Sequence, residues 1–168
     1  MRENNLETKE LVVRIERLTA MPAAYACSFA ATPEEEAMKK IKEWAKNQGL
    51  LEKAGARLFG RNTYPTDKPA SRGYELYLTT SMEPTNFCDI ETAEIPSGLY
   101  AVLRFKSLEN MQFGWKKLWN WIEASGYEHA GWQRGKYGWV NGFEEQVNWQ
   151  EDKPPTEWLF DLWVPLKE

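Results

Sequence analysis

Apolar and polar positions alternate and recur along this chain in an order that is written twice. Residues 11–18 form an apolar, β-branched run with the look of a strand, and the run resumes at 24–29 beyond Pro22. A proline inside a strand belongs at an edge or a bulge, so the pattern predicts one bent edge strand. Thr32-Pro33-Glu34-Glu35 then supplies an N-cap, a first-turn proline and a capping-box acid. Ala37, Met38, Ile41, Trp44 and Ala45 follow at helical spacing, and Gly49 is placed to end the helix. Residues 57–63 and 74–80 read as two strands joined by a loop rich in Pro, Thr, Asp and Lys.

The second half repeats strand, helix, strand, strand. Residues 98–106 are a strand after Pro96, and Trp115, Leu118, Trp119 and Ile122 stripe a helix that ends near Gly126. Residues 131–147 contain four glycines and read as a hairpin or a looped strand, and 158–166 is the closing strand. Individual residues echo the pattern: Pro22 and Tyr25 as Pro96 and Tyr100, Ile41 and Trp44 as Leu118 and Trp121, Gly49 as Gly126, Gly60 as Gly138, Glu75-Leu76-Tyr77 as Asp161-Leu162-Trp163. The offset drifts from about 75 to about 86 residues, as loop insertions in two copies of one unit would produce. The expected fold is α+β: two β-α-β-β repeats, residues 11–82 and 89–168, within one domain after a flexible 1–10. They build an antiparallel sheet with both helices on one face and a ligand cleft between the copies.

Strand parity divides the candidate chemistry between the two faces. Phe160, Leu162 and Val164 share one face, as do Tyr74, Leu76 and Leu78, and both rows are expected beneath the helices. The opposite face carries Glu75 with Tyr77 and Asp161 with Trp163, a carboxylate beside an aromatic ring at equivalent places in both copies. A solvated sheet face is the plain reading; a pseudo-symmetric pocket with aromatic walls and an acidic floor is the sharper one. Eight of the nine tryptophans lie after residue 110. Some belong to the core, as Trp115 on its helix stripe does, whereas Trp139, Trp163 and Tyr77 are better placed as ligand walls. Rings with a buried carboxylate reward a flat, apolar, positively charged ligand through cation–π attraction and ion pairing.

Composition narrows the classes. The chain has 168 residues and a net charge of −4 with signs interspersed, which argues against direct nucleic-acid binding. Cys27, Cys88 and the single His129 make no metal-ligand set, so neither a metal nor another cofactor is expected. The polar start and the lack of a long apolar run point to a cytoplasmic protein without a membrane segment.

Several segments together resemble a known family. They are Ile95-Pro96-Ser97-Gly98-Leu99-Tyr100-Ala101, the helix before Gly126-Tyr127, the Phe143-Glu144 pair, and the ending Asp161-Leu162-Trp163-Val164-Pro165-Leu166-Lys167. In this order and spacing the chain is similar to the GyrI-like effector-binding domain over residues 11–167. The resemblance implies a pocket between the two repeats for amphipathic, often cationic, aromatic compounds, and with the repeats beginning at residue 11 a stand-alone binder is expected. With no helix-turn-helix expected, such a protein sequesters its ligand or signals through a separate regulator. The matching acids are Glu144 and Asp161; family members usually carry glutamate at the latter, and a tyrosine where this chain has Gln146. Glu145 adjoins Glu144, and alternation lets only one of them face a pocket. The ligand-binding candidates are thus Glu75, Tyr77, Trp119, Trp139, Glu144, Glu145, Asp161 and Trp163. The resemblance also implies two alternatives. One is a hydrolase of strained cyclopropane-containing alkylating compounds, with Glu144 or Asp161 and Tyr77 or Tyr137 as its catalytic groups; the other is a gyrase-contacting interaction protein.

Overall fold

The structure, a computed structural model, describes residues 11–65, 72–81 and 89–168; the expected flexible start, part of the loop after residue 63, and Cys88 lie outside them. The elements in order are β1 (Val13–Leu18), β2 (Met21–Ser28), α1 (Pro33–Asn47), β3 (Leu58–Thr63), β4 (Gly73–Thr79), β5 (Glu91–Ile95) and β6 (Gly98–Lys106). There follow α2 (Met111–Ala124), β7 (Gln133–Arg134), β8 (Trp139–Val140), β9 (Phe143–Gln146) and β10 (Leu159–Pro165). Eight strands form one curled antiparallel sheet in the order β1-β6-β10-β9-β3-β4-β2-β5, and β7 with β8 makes a separate short ribbon.

This order reads the same from either end when the halves are exchanged. The trio β6-β10-β9 answers β2-β4-β3, and β9 meets β3 at the centre. The outer strands are swapped: β1 leads into β2 yet pairs with β6, and β5 leads into β6 yet pairs with β2. The apolar stretch around Pro22 is therefore two strands rather than one bent edge strand. A two-residue link suffices because the curl brings both ends of the sheet together, with Leu18 opposite Gly98 and Met21 opposite Ile95.

The register makes the repeats equivalent at the predicted pairs. Tyr77 lies opposite Phe59 and Glu75 opposite Arg61; likewise Trp163 lies opposite Phe143 and Asp161 opposite Glu145. Tyr25 and Tyr100 are out of step, since Tyr25 faces Tyr77 whereas Trp163 faces Val102.

Both helices lie on one side of the sheet, where their apolar stripes create two cores. Ile41, Trp44 and Ala45 of α1 pack on Ala24, Leu76 and Leu78, and Leu118 and Ile122 of α2 pack on Leu103, Leu162 and Val164. Each large apolar side chain buried this way contributes about 1.5–3 kcal/mol. Helix α1 opens with Pro33 in its first turn and three glutamates near its positive end, although the Thr32 hydroxyl makes no cap bond. It ends beside Gly49, whose φ of +69° suits a residue without a β-carbon. The inner, curled side has its own core, with Tyr25, Phe59, Tyr77, Tyr100, Phe143 and Trp163 in contact.

Candidate ligand-binding site

Alternation along β9 sends Phe143 to the inner core, and Glu144 lines a cleft on the helix side. Because β9 and β3 meet at the middle of the sheet, Glu144 stands between the two repeats, opposite Gly60. The cleft has a volume of about 870 Å³; Met38 and Lys42 of α1, Leu108 and Met111 near α2, and Tyr74 and Phe160 from the sheet line it. A second cavity of about 390 Å³ also reaches Glu144 and is lined by Tyr64, Trp115, Trp119 and Trp132. The carboxylate thus lies where an apolar cleft meets a cluster of aromatic rings.

The register explains how this acid is held. Tyr74 on β4 reaches across β3 to Glu144 on β9, and it can do so because the residue beneath it is Gly60. A β-carbon at Gly60 would lie 2.3 Å from the Tyr74 hydroxyl. That hydroxyl donates to Glu144 Oε1 at 2.8 Å. Burial pushes the Glu144 carboxyl above the usual range, and hydrogen bonds from Tyr74 and Trp115 oppose the rise. Burial also pushes the Tyr74 hydroxyl well up, with Glu144 adding to it, so Tyr74 remains a donor. Among the described residues no Lys, Arg or His makes a salt bridge to Glu144.

The inner face is arranged differently. Glu75 is fully buried and accepts from Tyr25 at 2.6 Å, Tyr77 at 2.8 Å and Arg61 Nε at 2.9 Å. Glu145 is gripped by both arms of Arg57 at 2.8 Å and by Trp163 Nε1 at 3.1 Å. Asp161 takes a two-point contact from Arg104 at 2.8 and 2.9 Å and a further bond from Arg14 at 2.9 Å. The rings of this face also hold guanidiniums: Arg61 lies 4.3 Å from the Phe143 centroid and 5.1 Å from that of Tyr77, and Arg57 lies 5.6 Å from that of Trp163. Acids and rings on this side are already supplied with cations by the chain itself.

Of the residues singled out in the sequence, Glu144 and Trp119 line the helix-side cavities. Glu75, Tyr77, Glu145, Asp161 and Trp163 come together on the inner face. Trp139 sits on the β7–β8 ribbon, bridged to Tyr64 and beneath Arg134, and Tyr137 donates to Glu91 at 2.6 Å. Sequence reasoning put Tyr74 under the helices but gave it no chemical part. It also passed over Arg14, Arg57, Arg61 and Arg104; for the last three the signal was an arginine in step with an aromatic position, Phe59 or Tyr100, whereas the strand of Arg14 has no aromatic residue. Among the described residues no group of three or more His, Cys, Asp or Glu is suited to hold a metal ion, and no helix is long and apolar enough to cross a membrane.

Comparison with known proteins accords with this architecture. The C-terminal domain of EcmrR superposes with a TM-score of 0.66 at 13% identity, over 94% of this chain and 98% of that domain. Against the longer EcmrR chain in its DNA complex the TM-score is 0.67 at 12% identity, and this chain, 99% covered, spans 62% of that one. SAV2435 bound to tetraphenylphosphonium matches with a TM-score of 0.54 at 12% identity, over 93% of this chain and 94% of that one. A hydrolase from Listeria innocua matches with a TM-score of 0.60 at 7% identity, over 99% and 97%. Among curated proteins no match is found. The GyrI-like small-molecule-binding domain matches residues 12–167, nearly the whole described chain, and the protein belongs to that family.

Proposed function

We propose that the protein binds amphipathic, cationic aromatic compounds in the helix-side cleft, with Glu144 as the counter-charge. One observation carries this reading. Three buried carboxylates of the sheet, Glu75, Glu145 and Asp161, each hold an arginine directly, whereas the half-buried Glu144 accepts only from the neutral donors Tyr74 and Trp115, and the guanidinium in the same cleft, that of Arg72, is taken up by Glu34 and Asn62. A desolvated charge without a counter-ion is costly, and a bound cation relieves that cost. The surroundings suit such a ligand: Trp115, Trp119, Trp132 and Tyr64 line one side, Met38, Met111 and Phe160 offer adaptable apolar surface on the other, and Glu34 and Glu35 accompany Lys39, Lys42 and Arg72 in the cleft lining. The bound tetraphenylphosphonium of SAV2435 is a ligand of this chemical kind, held by a protein of the same fold.

The test is isothermal titration of the protein with methyltriphenylphosphonium and with triphenylphosphine oxide, a neutral molecule with the same three rings and a similar bulk. The reading expects saturable binding of the cation and at least tenfold weaker binding of the oxide. Equal affinities would remove Glu144 from the account.

A second reading rests on the same pair. A carboxyl raised by burial and 2.8 Å from a phenol that stays protonated is a general acid and base in waiting. On this reading the protein is a hydrolase of strained electrophiles, with Glu144 as the acid and Tyr74 in the part that the resemblance gave to Tyr77 or Tyr137. Mass spectrometry of a strained cyclopropane substrate after incubation separates the two: a water adduct formed by wild type and not by Glu144→Gln supports hydrolysis.

A further inference from the structure

The inner face is covered above Glu75 in one repeat and has a cavity at the equivalent place in the other. In the first repeat the β7–β8 ribbon covers Glu75: a β-carbon at Gly135 would stand 3.5 Å from Glu75 Oε2, and Lys136 Nζ lies 5.1 Å from the Tyr25 centroid. At the equivalent place in the second repeat there is a cavity of about 440 Å³. The guanidiniums of Arg14, Arg17, Arg57 and Arg104 line it with the carboxylates of Glu16, Glu145 and Asp161; Arg17 is paired with Glu168 and Glu16 accepts from Arg14 Nε, so what the cavity offers an anion is fixed N–H donors rather than surplus charge.

Two of those carboxylates are spent. Asp161 and Glu145 are 2% and 5% exposed, and all four of their oxygens accept hydrogen bonds from Arg14, Arg57 or Arg104. The arginines remain accessible, with 36%, 34% and 48% of the Arg14, Arg57 and Arg104 side chains exposed. The buried acids fix each guanidinium through its Nη2, and through Nε as well in Arg57 and Arg104. The Nη1 groups are left over: those of Arg14 and Arg104 have no hydrogen-bond partner among the described residues, and that of Arg57 meets only the Met21 sulfur at 3.9 Å.

We propose that this cavity is a second ligand site, on the side of the sheet opposite the cleft, for the oxyanion group of a small molecule: a carboxylate or a phosphate. Planar guanidiniums match such groups in two-point contacts. Here they are already immobilised by the acids beneath, so little ordering remains to be done on binding. The proposal does not depend on what the cleft binds.

The experiment follows the Arg Nε–Hε signals in heteronuclear NMR while the protein is titrated with inorganic pyrophosphate or with citrate. Saturable shifts at Arg14, Arg57 and Arg104 are expected, and the tighter of the two probes identifies the class of oxyanion. Arg14→Gln leaves Asp161 with its two-point contact from Arg104, so the fold should survive while affinity falls about tenfold. Should that variant not fold, Arg104→Lys, which keeps a charge beside Asp161 but removes the planar fork, takes its place with the same expected loss. Absence of saturable shifts with both probes, or undiminished affinity in the variant, would overturn the proposal.

Discussion

Replacing Gly60 with alanine tests how the cleft acid is held. In an ordinary strand this change gains stability, by about 0.5–1 kcal/mol, because alanine has less backbone freedom to lose. Here the new β-carbon would lie 2.3 Å from the Tyr74 hydroxyl and 2.7 Å from the ring carbon that bears it. Ordinary contact begins at 3.4 Å, so the hydroxyl must withdraw by the difference between 3.4 and 2.3 Å, about 1.1 Å. The 2.8 Å bond to Glu144 does not survive a movement of that size. A hydrogen bond to a charged group is worth about 1.5–3 kcal/mol, which after the strand gain leaves a net loss of roughly 1–2 kcal/mol while Glu144 is ionised. Urea unfolding of Gly60→Ala at neutral pH measures that loss directly. NMR titration of the Glu144 side chain should show its carboxyl raised further, since a donor that opposed the rise has gone. In a Tyr74→Leu background the same glycine change should be neutral or slightly stabilising. A stabilised single variant with unaltered Glu144 titration, or an equal loss in both backgrounds, would refute the reasoning.

Other consequences are simpler to state. Arg61→Met should cost about 3–5 kcal/mol in urea unfolding, because it leaves the fully buried Glu75 without its counter-ion. Glu144, raised on folding, gives a stability contribution that is complete below its unfolded value and is lost as pH rises through its folded one. Glu144→Gln should therefore flatten that part of the pH–stability curve and stabilise the ligand-free protein at neutral pH, as denaturant melts across pH would record. Burial pushes the Cys27 thiol up to about 11 from 9.0, so iodoacetamide should alkylate it about 100-fold more slowly than an ordinary thiol at pH 8 by peptide mass mapping.

Local periodicity carried much of this architecture. The helix stripes around Ile41 and Leu118 were visible because side chains three and four apart share a face. Parity alone put Glu75 and Asp161 on the side away from the helices, and the register bears out their equivalence. Partner choice between strands is a non-local property and was not legible. Nothing within residues 11–29 says that two link residues separate strands that pair with different repeats. The same limit hid the character of the inner face, since Arg104 meets Asp161 only through the β6–β10 register. Tyr74 escaped for a related reason: its contact with Glu144 spans three strands and depends on the missing side chain of Gly60. The choice between Glu144 and Glu145 needed only the direction in which β9 faces, which alternation leaves open by one residue.

The most direct test of the central claim compares two charge-removing variants that keep side-chain shape. Methyltriphenylphosphonium affinity is measured by titration calorimetry for wild type, Glu144→Gln and Asp161→Asn, with triphenylphosphine oxide as the neutral control. The account predicts that Glu144→Gln weakens the cation by about 10- to 100-fold, the equivalent of roughly 1.5–3 kcal/mol, and leaves the oxide unchanged. Asp161→Asn, whose charge is spent on Arg104 and Arg14, should lower stability without altering the preference for the cation. Loss of cation binding in Asp161→Asn with none in Glu144→Gln would contradict the account.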